Sequence, residues 1–118
     1  MTATLRGFGL THVQFVLLAS LWWLTAVAAE RPSQRRLADF AGTEPMMTSQ
    51  VLRTLEGKAL LTRESHPADA RARQLGVSRR GAELARRALA AVEAADRSFF
   101  KPANGRKTLI DFLRMLAA

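Results

Sequence analysis

Between Ser33 and Val77 the chain spells a short helix, a turn, a second helix and a basic hairpin, and that order leaves few folds open. The segment Ser33-Gln-Arg-Arg-Leu-Ala-Asp-Phe-Ala-Gly42 has a capping serine at its start and a stopping glycine at its end. A serine hydroxyl takes up the free amide hydrogens of a helix's first turn, and glycine adopts the left-handed conformation that ends one. Leu37, Ala38 and Ala41 fall on one side of this helix, while Gln34, Arg35 and Asp39 look outward.

The second helix begins at Glu44-Pro45, where proline suits a first-turn position, and runs to Gly57. Met47, Val51, Leu52 and Leu55 recur at helical spacing and form its expected inner face. Met46, Ser49, Gln50 and Arg53 then share the outer face, and Glu56, beyond the N-terminal half, is the only acidic neighbour read beside it. A helix that enters a groove of DNA needs such a distribution, because carboxylates there would meet phosphates. Leu60-Leu-Thr-Arg-Glu64 and Arg73-Gln-Leu-Gly-Val77 flank the polar loop Ser65 to Ala72 and read as two short strands. Leu61, Arg63, Leu75 and Val77 alternate weakly, and Arg63 is either structural or phosphate-facing. Helix, turn, helix and arginine-tipped hairpin make the layout of a winged DNA reader. In that layout Gln50 and Arg53 are placed to pair with adenine and guanine edges. Arg71 and Arg73 are placed to grip the minor groove, with Asp69 holding Arg71 out of the loop. The competing reading is a solvated helix face and a hairpin charged for solubility.

Charge supports the first alternative. Across 118 residues, 18 Lys plus Arg oppose 10 Asp plus Glu, a formal net charge of +8. Such a surplus suits a polyanionic partner, although an acidic membrane surface would also satisfy it. Arginine far outnumbers lysine, and its planar fork binds phosphate and guanine in a two-pronged way that ammonium cannot copy. The chain has no cysteine, which excludes disulfides, thiolate metal sites and a thiol switch. Its two histidines, His12 and His66, lie far apart without acidic spacing for zinc, so no metal and no cofactor is expected. The serines lack a histidine with an orienting carboxylate, and there is no glycine-rich phosphate loop, so the chain reads as no enzyme.

Phe15 to Ala29 is a rival signal. Arg6 precedes this apolar run and Ala26-Val-Ala28 ends it, in imitation of a secretory signal peptide. The alternative function is therefore a basic membrane-associated or exported protein that uses Phe15–Ala29 as anchor or signal. The run is short of the roughly 20 apolar residues that a bilayer span needs. Thr11 and Gln14 are spaced as a capping box, which favours a buried helix from about His12 to Ala28. Glu30-Arg-Pro32 breaks it. His12 with Phe15 and the Trp22-Trp23 pair either lines a ligand cavity or supplies core packing with a polar cap; the second is preferred.

Downstream, Ser78 caps a long helix from Arg80 to Phe100, with Leu84, Ala88, Val92, Ala95 and Phe99 as its stripe. Alanine in that stripe lets another helix approach closely. Pro102 with Asn104-Gly105 makes a turn, and Leu109, Phe112, Leu113 and Leu116 mark a final short helix. The fold class is thus mainly α with a small β-hairpin wing, one domain over residues 1–118.

Five blocks in order then resemble the MarR family of bacterial transcriptional regulators: Leu10 to Leu18, Gln34 to Ala38, Leu55 to Arg63, Asp69 to Ala72, and Val77 to Gly81. Asp96-Arg-Ser-Phe-Phe100 resembles the family's ending of the long helix. The resemblance implies a cytoplasmic homodimer that binds a pseudo-palindromic double-stranded operator, usually as a repressor, and that a small aromatic or lipophilic ligand releases. It divides the chain into a DNA-binding lobe over about 30–80 and dimerisation helices over about 1–29 and 81–118. It puts Ser33, Gln34 and Arg35 where the first helix meets phosphate, and Met46, Ser49, Gln50 and Arg53 in the major groove. Asp69, Arg71 and Arg73 belong to the wing; His12, Phe15 and Trp22 are the candidate ligand-cavity residues weighed above from the sequence. Family members usually carry a further helix before the Leu10 block, where this chain has only about nine residues, read as a short polar start.

Overall fold

The computed structural model describes residues 2–65 and 73–95. Five α-helices and one hairpin follow in the order α1 (Thr2–Arg6), α2 (His12–Trp22), α3 (Gln34–Ala41), α4 (Pro45–Gly57), β1 (Leu61–Ser65), β2 (Arg73–Val77) and α5 (Arg79–Ala95). The segment before Leu10 is therefore not plain polar chain: it makes the one-and-a-half-turn α1, which packs on α5 and α2 and buries Leu5.

Helix α2 opens with the capping box expected of Thr11 and Gln14, each side chain bonding the other's backbone amide. Every residue from Phe15 to Leu21 is 0% exposed, Ser20 included. A helix with no polar face must lie inside the fold, and α2 does so, against α3, α4, α5 and β2. The apolar run is thus consumed by the core, and no helix of the described residues is long and apolar enough to cross a membrane. The anchor or signal reading loses its main support.

The expected helix end at Ala28 is more irregular than the sequence suggested. From Trp23 to Val27 the backbone widens into a π-helical turn. The Thr25 hydroxyl donates to the carbonyls of Leu21 and Trp22, at 2.9 and 3.1 Å, inside the region of widening. Ala29 ends the helix at φ +56°, a left-handed conformation rare for a residue with a Cβ.

Helix α3 follows the reading closely. The Ser33 hydroxyl accepts from the Arg36 amide, and Gly42 stops the helix at φ +72°. Leu37, Ala38 and Ala41 are buried, joined by Phe40. Helix α4 is turned relative to expectation. Leu52 and Leu55 are buried and Val51 half-buried, but Met47 stands 37% exposed, and Thr48 takes its place inside at 0%. The reason is polar: the Thr48 hydroxyl reaches Thr43 Oγ1 at 2.6 Å and donates to the Glu44 carbonyl at 2.8 Å. A satisfied hydroxyl can be buried cheaply, and burying this one swings Met47 outward.

The hairpin is antiparallel, from Leu61 opposite Val77 to Ser65 opposite Arg73. Its other edge is partly covered, because the Leu75 amide donates to the Pro32 carbonyl at 2.8 Å. Leu61 and Leu75 point into the core. Helix α5 is capped by Ser78, as expected, and buries Ala85, Ala88, Leu89 and Val92, with Leu84 half-buried. The close helix partner that the alanines admit is α2 of the same chain. Asp96 onward lies outside the described residues, as do Phe99, Phe112 and Leu116, and so does the side chain of Ala95. One continuous core contains residues from every described element.

Candidate nucleic-acid interface

Helices α3 and α4 pack on each other and on the hairpin, and the chemistry of the surface they share is built from local signals. The turn between α3 and α4 is held by Gly42 and by the Thr43–Thr48 hydroxyl pair. Helix α4 then starts at Glu44, whose carboxylate accepts from the amides of Met46 and Met47 at 2.8 and 2.9 Å. Those amide hydrogen bonds hold the Glu44 carboxyl below the ordinary carboxylate range. The sequence reading missed this group: an acid does stand at the N-terminus of α4, as its cap.

The outer face of α4 carries Met46 (70% exposed), Gln50 and Arg53, with Ser49 half-buried at its margin. These are the residues expected there, at spacings of four and three. Gln34, Arg35, Ala38 and Asp39 of α3 face Pro45 of α4 across an open cleft, so the start of the first helix and the start of the second flank one surface. Arg35 is exposed there, and Gln34 is half-buried.

Gln34 is partly engaged elsewhere. Its Oε1 accepts from Arg63 at 3.3 Å, and Arg63 Nε lies 3.4 Å from a Glu56 carboxylate oxygen. Pleating places Arg63 on the same face of the hairpin as Leu61 and Leu75. Its side chain is only 15% exposed. The arginine therefore joins α3, α4 and β1, and of the two roles weighed for it the structural one fits. Sequence spacing could not show this, since the partners lie 29 and 7 residues away.

Arg36 was also missed. Its guanidinium makes a two-pronged bond to Glu30, both contacts at 3.1 Å, and lies over the Phe40 ring, which stacks on Trp23 at 5.7 Å. The pairing lowers the Glu30 carboxyl and raises the Arg36 guanidinium, chiefly through that side-chain hydrogen bond. Arg36 thus ties the segment that follows α2 to α3, while its neighbour Arg35 lines the cleft beside Pro45.

Of the wing, Arg73 is described only as the first residue of β2; its side chain, and Asp69 and Arg71 entirely, lie outside the described residues. Of the pocket residues, Phe15 is sealed in the core, Trp22 is half-buried and His12 is exposed. An open cleft exists elsewhere, where Thr25, Ala29, Glu30 and Arg31 face Thr62, Glu64 and Gln74 of the hairpin. Among the described residues no group of three or more His, Asp or Glu is placed to hold a metal ion.

Comparison with known proteins agrees with this architecture. An uncharacterised HTH-type transcriptional regulator of Bacillus subtilis (strain 168), YdcH, is 40% identical over 112 residues, which span 95% of this chain and 76% of that protein. The Staphylococcus aureus MepR–DNA complex superposes with a TM-score of 0.69 at 22% identity, covering 98% of this chain and 85% of that one. CouR from Rhodococcus jostii RHA1, solved with p-coumaroyl-CoA, gives a TM-score of 0.68 at 27% identity, covering 98% and 80%. These likenesses make the fold a winged helix-turn-helix. The model of the MarR family matches residues 10–72, more than half of the sequence. The chain belongs to the MarR family of transcriptional regulators.

Proposed function

We propose that this regulator is a homodimeric repressor that reads a double-stranded operator in the cytoplasm and leaves it when a small aromatic or lipophilic ligand binds. The observation that carries the reading is the exposed stripe Met46, Gln50 and Arg53 on α4, flanked by Gln34 and Arg35 at the start of α3. On the opposite side of the helix the buried Thr48 is tied to Thr43 of the preceding turn. A rigid rod that presents a guanidinium and an amide is suited to base edges in the major groove.

In this reading Ser33, Gln34 and Arg35 anchor to phosphate, while Met46, Ser49, Gln50 and Arg53 face bases. Asp69, Arg71 and Arg73 form the wing in the minor groove. Residues of about 30–80 make the DNA-binding lobe, and those of about 1–29 and 81–118 carry the dimer contact. Two copies set their recognition helices about one helical turn of DNA apart. A ligand near His12, Phe15 and Trp22 releases the operator only through unequal affinity for the DNA-bound and free arrangements. The DNA and ligand in the MepR and CouR structures support these partner classes.

The test is a gel-shift titration on the DNA flanking the gene. Arg71→Ala should weaken binding strongly on any sequence, and Arg53→Ala should change which operator bases are tolerated. Affinity should fall steeply with salt as phosphate-bound cations are released. Unchanged binding by both variants would remove the proposed surface.

A further inference from the structure

Among the described residues, Met46 and Met47 are the two large apolar side chains left exposed, and they stand side by side at the first turn of α4. Exposure of Met47 is enforced, because Thr48 holds the inner position through two hydrogen bonds. Their surroundings point to one occupant. The Met46 and Met47 amides, which would otherwise attract a phosphate to the helix end, are already taken by the Glu44 carboxylate. An anion is thus excluded from this tip. Directly behind it on the same stripe stand Gln50 and Arg53, and Arg35 lies exposed on the neighbouring helix. An apolar tip without phosphate affinity, set within a cationic rim on a chain of net charge +8, matches the floor of the major groove, not its edge. The apolar feature on that floor is the C5-methyl group of thymine.

We propose that Met46 and Met47 are specificity-determining residues that pack on thymine methyl groups at the operator positions under the first turn of α4. The inference rests on the DNA-reading function above. The thioether chains are flexible and polarisable, so they can close on a methyl group without an exact register. The hydrogen-bonding residues Gln50 and Arg53 then read the neighbouring steps.

The two proposals separate in one experiment. The full chain selects a duplex from a random library, and the selected sequence is resynthesised with deoxyuridine in place of individual thymidines. Uracil keeps every hydrogen-bonding group of thymine and lacks only the methyl. At positions under the α4 tip the replacement should weaken binding about fourfold per methyl, the loss expected for one buried methyl group. In a Met46→Ala, Met47→Ala double variant the thymidine-to-deoxyuridine ratio at those positions should fall to about one. Because both side chains are exposed, the variant should keep the parent's helical circular dichroism. Equal binding of thymidine and deoxyuridine duplexes by the parent chain would overturn the methyl reading and leave DNA recognition standing. A ratio that the double variant keeps would also overturn it, assigning the effect to DNA shape. Selection of no duplex at all would overturn both.

Discussion

Gly81 sets two known effects against each other, and the structure decides which is larger. It lies in the first turn of α5, where alanine would favour the helix over glycine by ~1 kcal/mol. A Cβ at this position, however, would lie 1.8 Å from the Leu60 carbonyl oxygen and 2.8 Å from its carbon. These are backbone atoms, which cannot swing aside as a side-chain tip does. The carbonyl must retreat by more than 1 Å to reach the 3.0 Å floor for such contacts. That carbonyl also accepts from the Ser78 amide at 3.1 Å, and Ser78 in turn donates to Ala59 and caps α5. Retreat therefore breaks a hydrogen bond, at ~1–3 kcal/mol for the group left unpaired. Overpacking adds ~1–3 kcal/mol. Gly81→Ala should thus destabilise the protein by about 3 kcal/mol net, after the gain in propensity. The assay is urea unfolding followed by far-ultraviolet circular dichroism at fixed protein concentration. Gly57→Ala is the control, since a Cβ there meets nothing within 4 Å, and it should be neutral or stabilising. A Gly81→Ala midpoint equal to or above that of the parent would refute the steric reasoning.

Two further outcomes follow from the same geometry. Thr48→Val keeps the shape but leaves the buried Thr43 hydroxyl without its partner, so unfolding midpoints should show a loss of ~1–2 kcal/mol, with weaker operator binding as α4 loses its orientation. Glu30→Gln should lose stability at neutral pH, because the Arg36 pairing lowers the folded carboxyl below its ordinary value of 4.5. A depressed carboxyl stabilises the fold above its unfolded pKa and ceases to do so as pH falls through its folded one. The gap between the parent and Glu30→Gln in urea midpoints should therefore be full above about pH 5 and close on acidification below 4.5. A gap that persisted at low pH would assign the effect to packing.

What the sequence determined by itself was local in physical origin. The Thr11–Gln14 box, the Ser33 and Ser78 caps and the Gly42 stop are bonds between near neighbours, so their spacing is visible along the chain. The order of helices and strands followed from hydrophobic period, and five short blocks sufficed to suggest the family that comparison establishes. Tertiary structure decided the rest. Which side of α4 faces out depended on a hydroxyl pair across the turn, and that pair exposes Met47 against its hydrophobicity. Arg36 looked like any other cation of a basic chain, and Arg63 was legible only as either structural or phosphate-facing. Only the fold turned one onto Glu30 and Phe40 and carried the other, by the pleat of β1, inward to Glu56 and Gln34. Charges act through space on whichever partners folding brings within a few ångströms, and a linear sequence does not contain that distance.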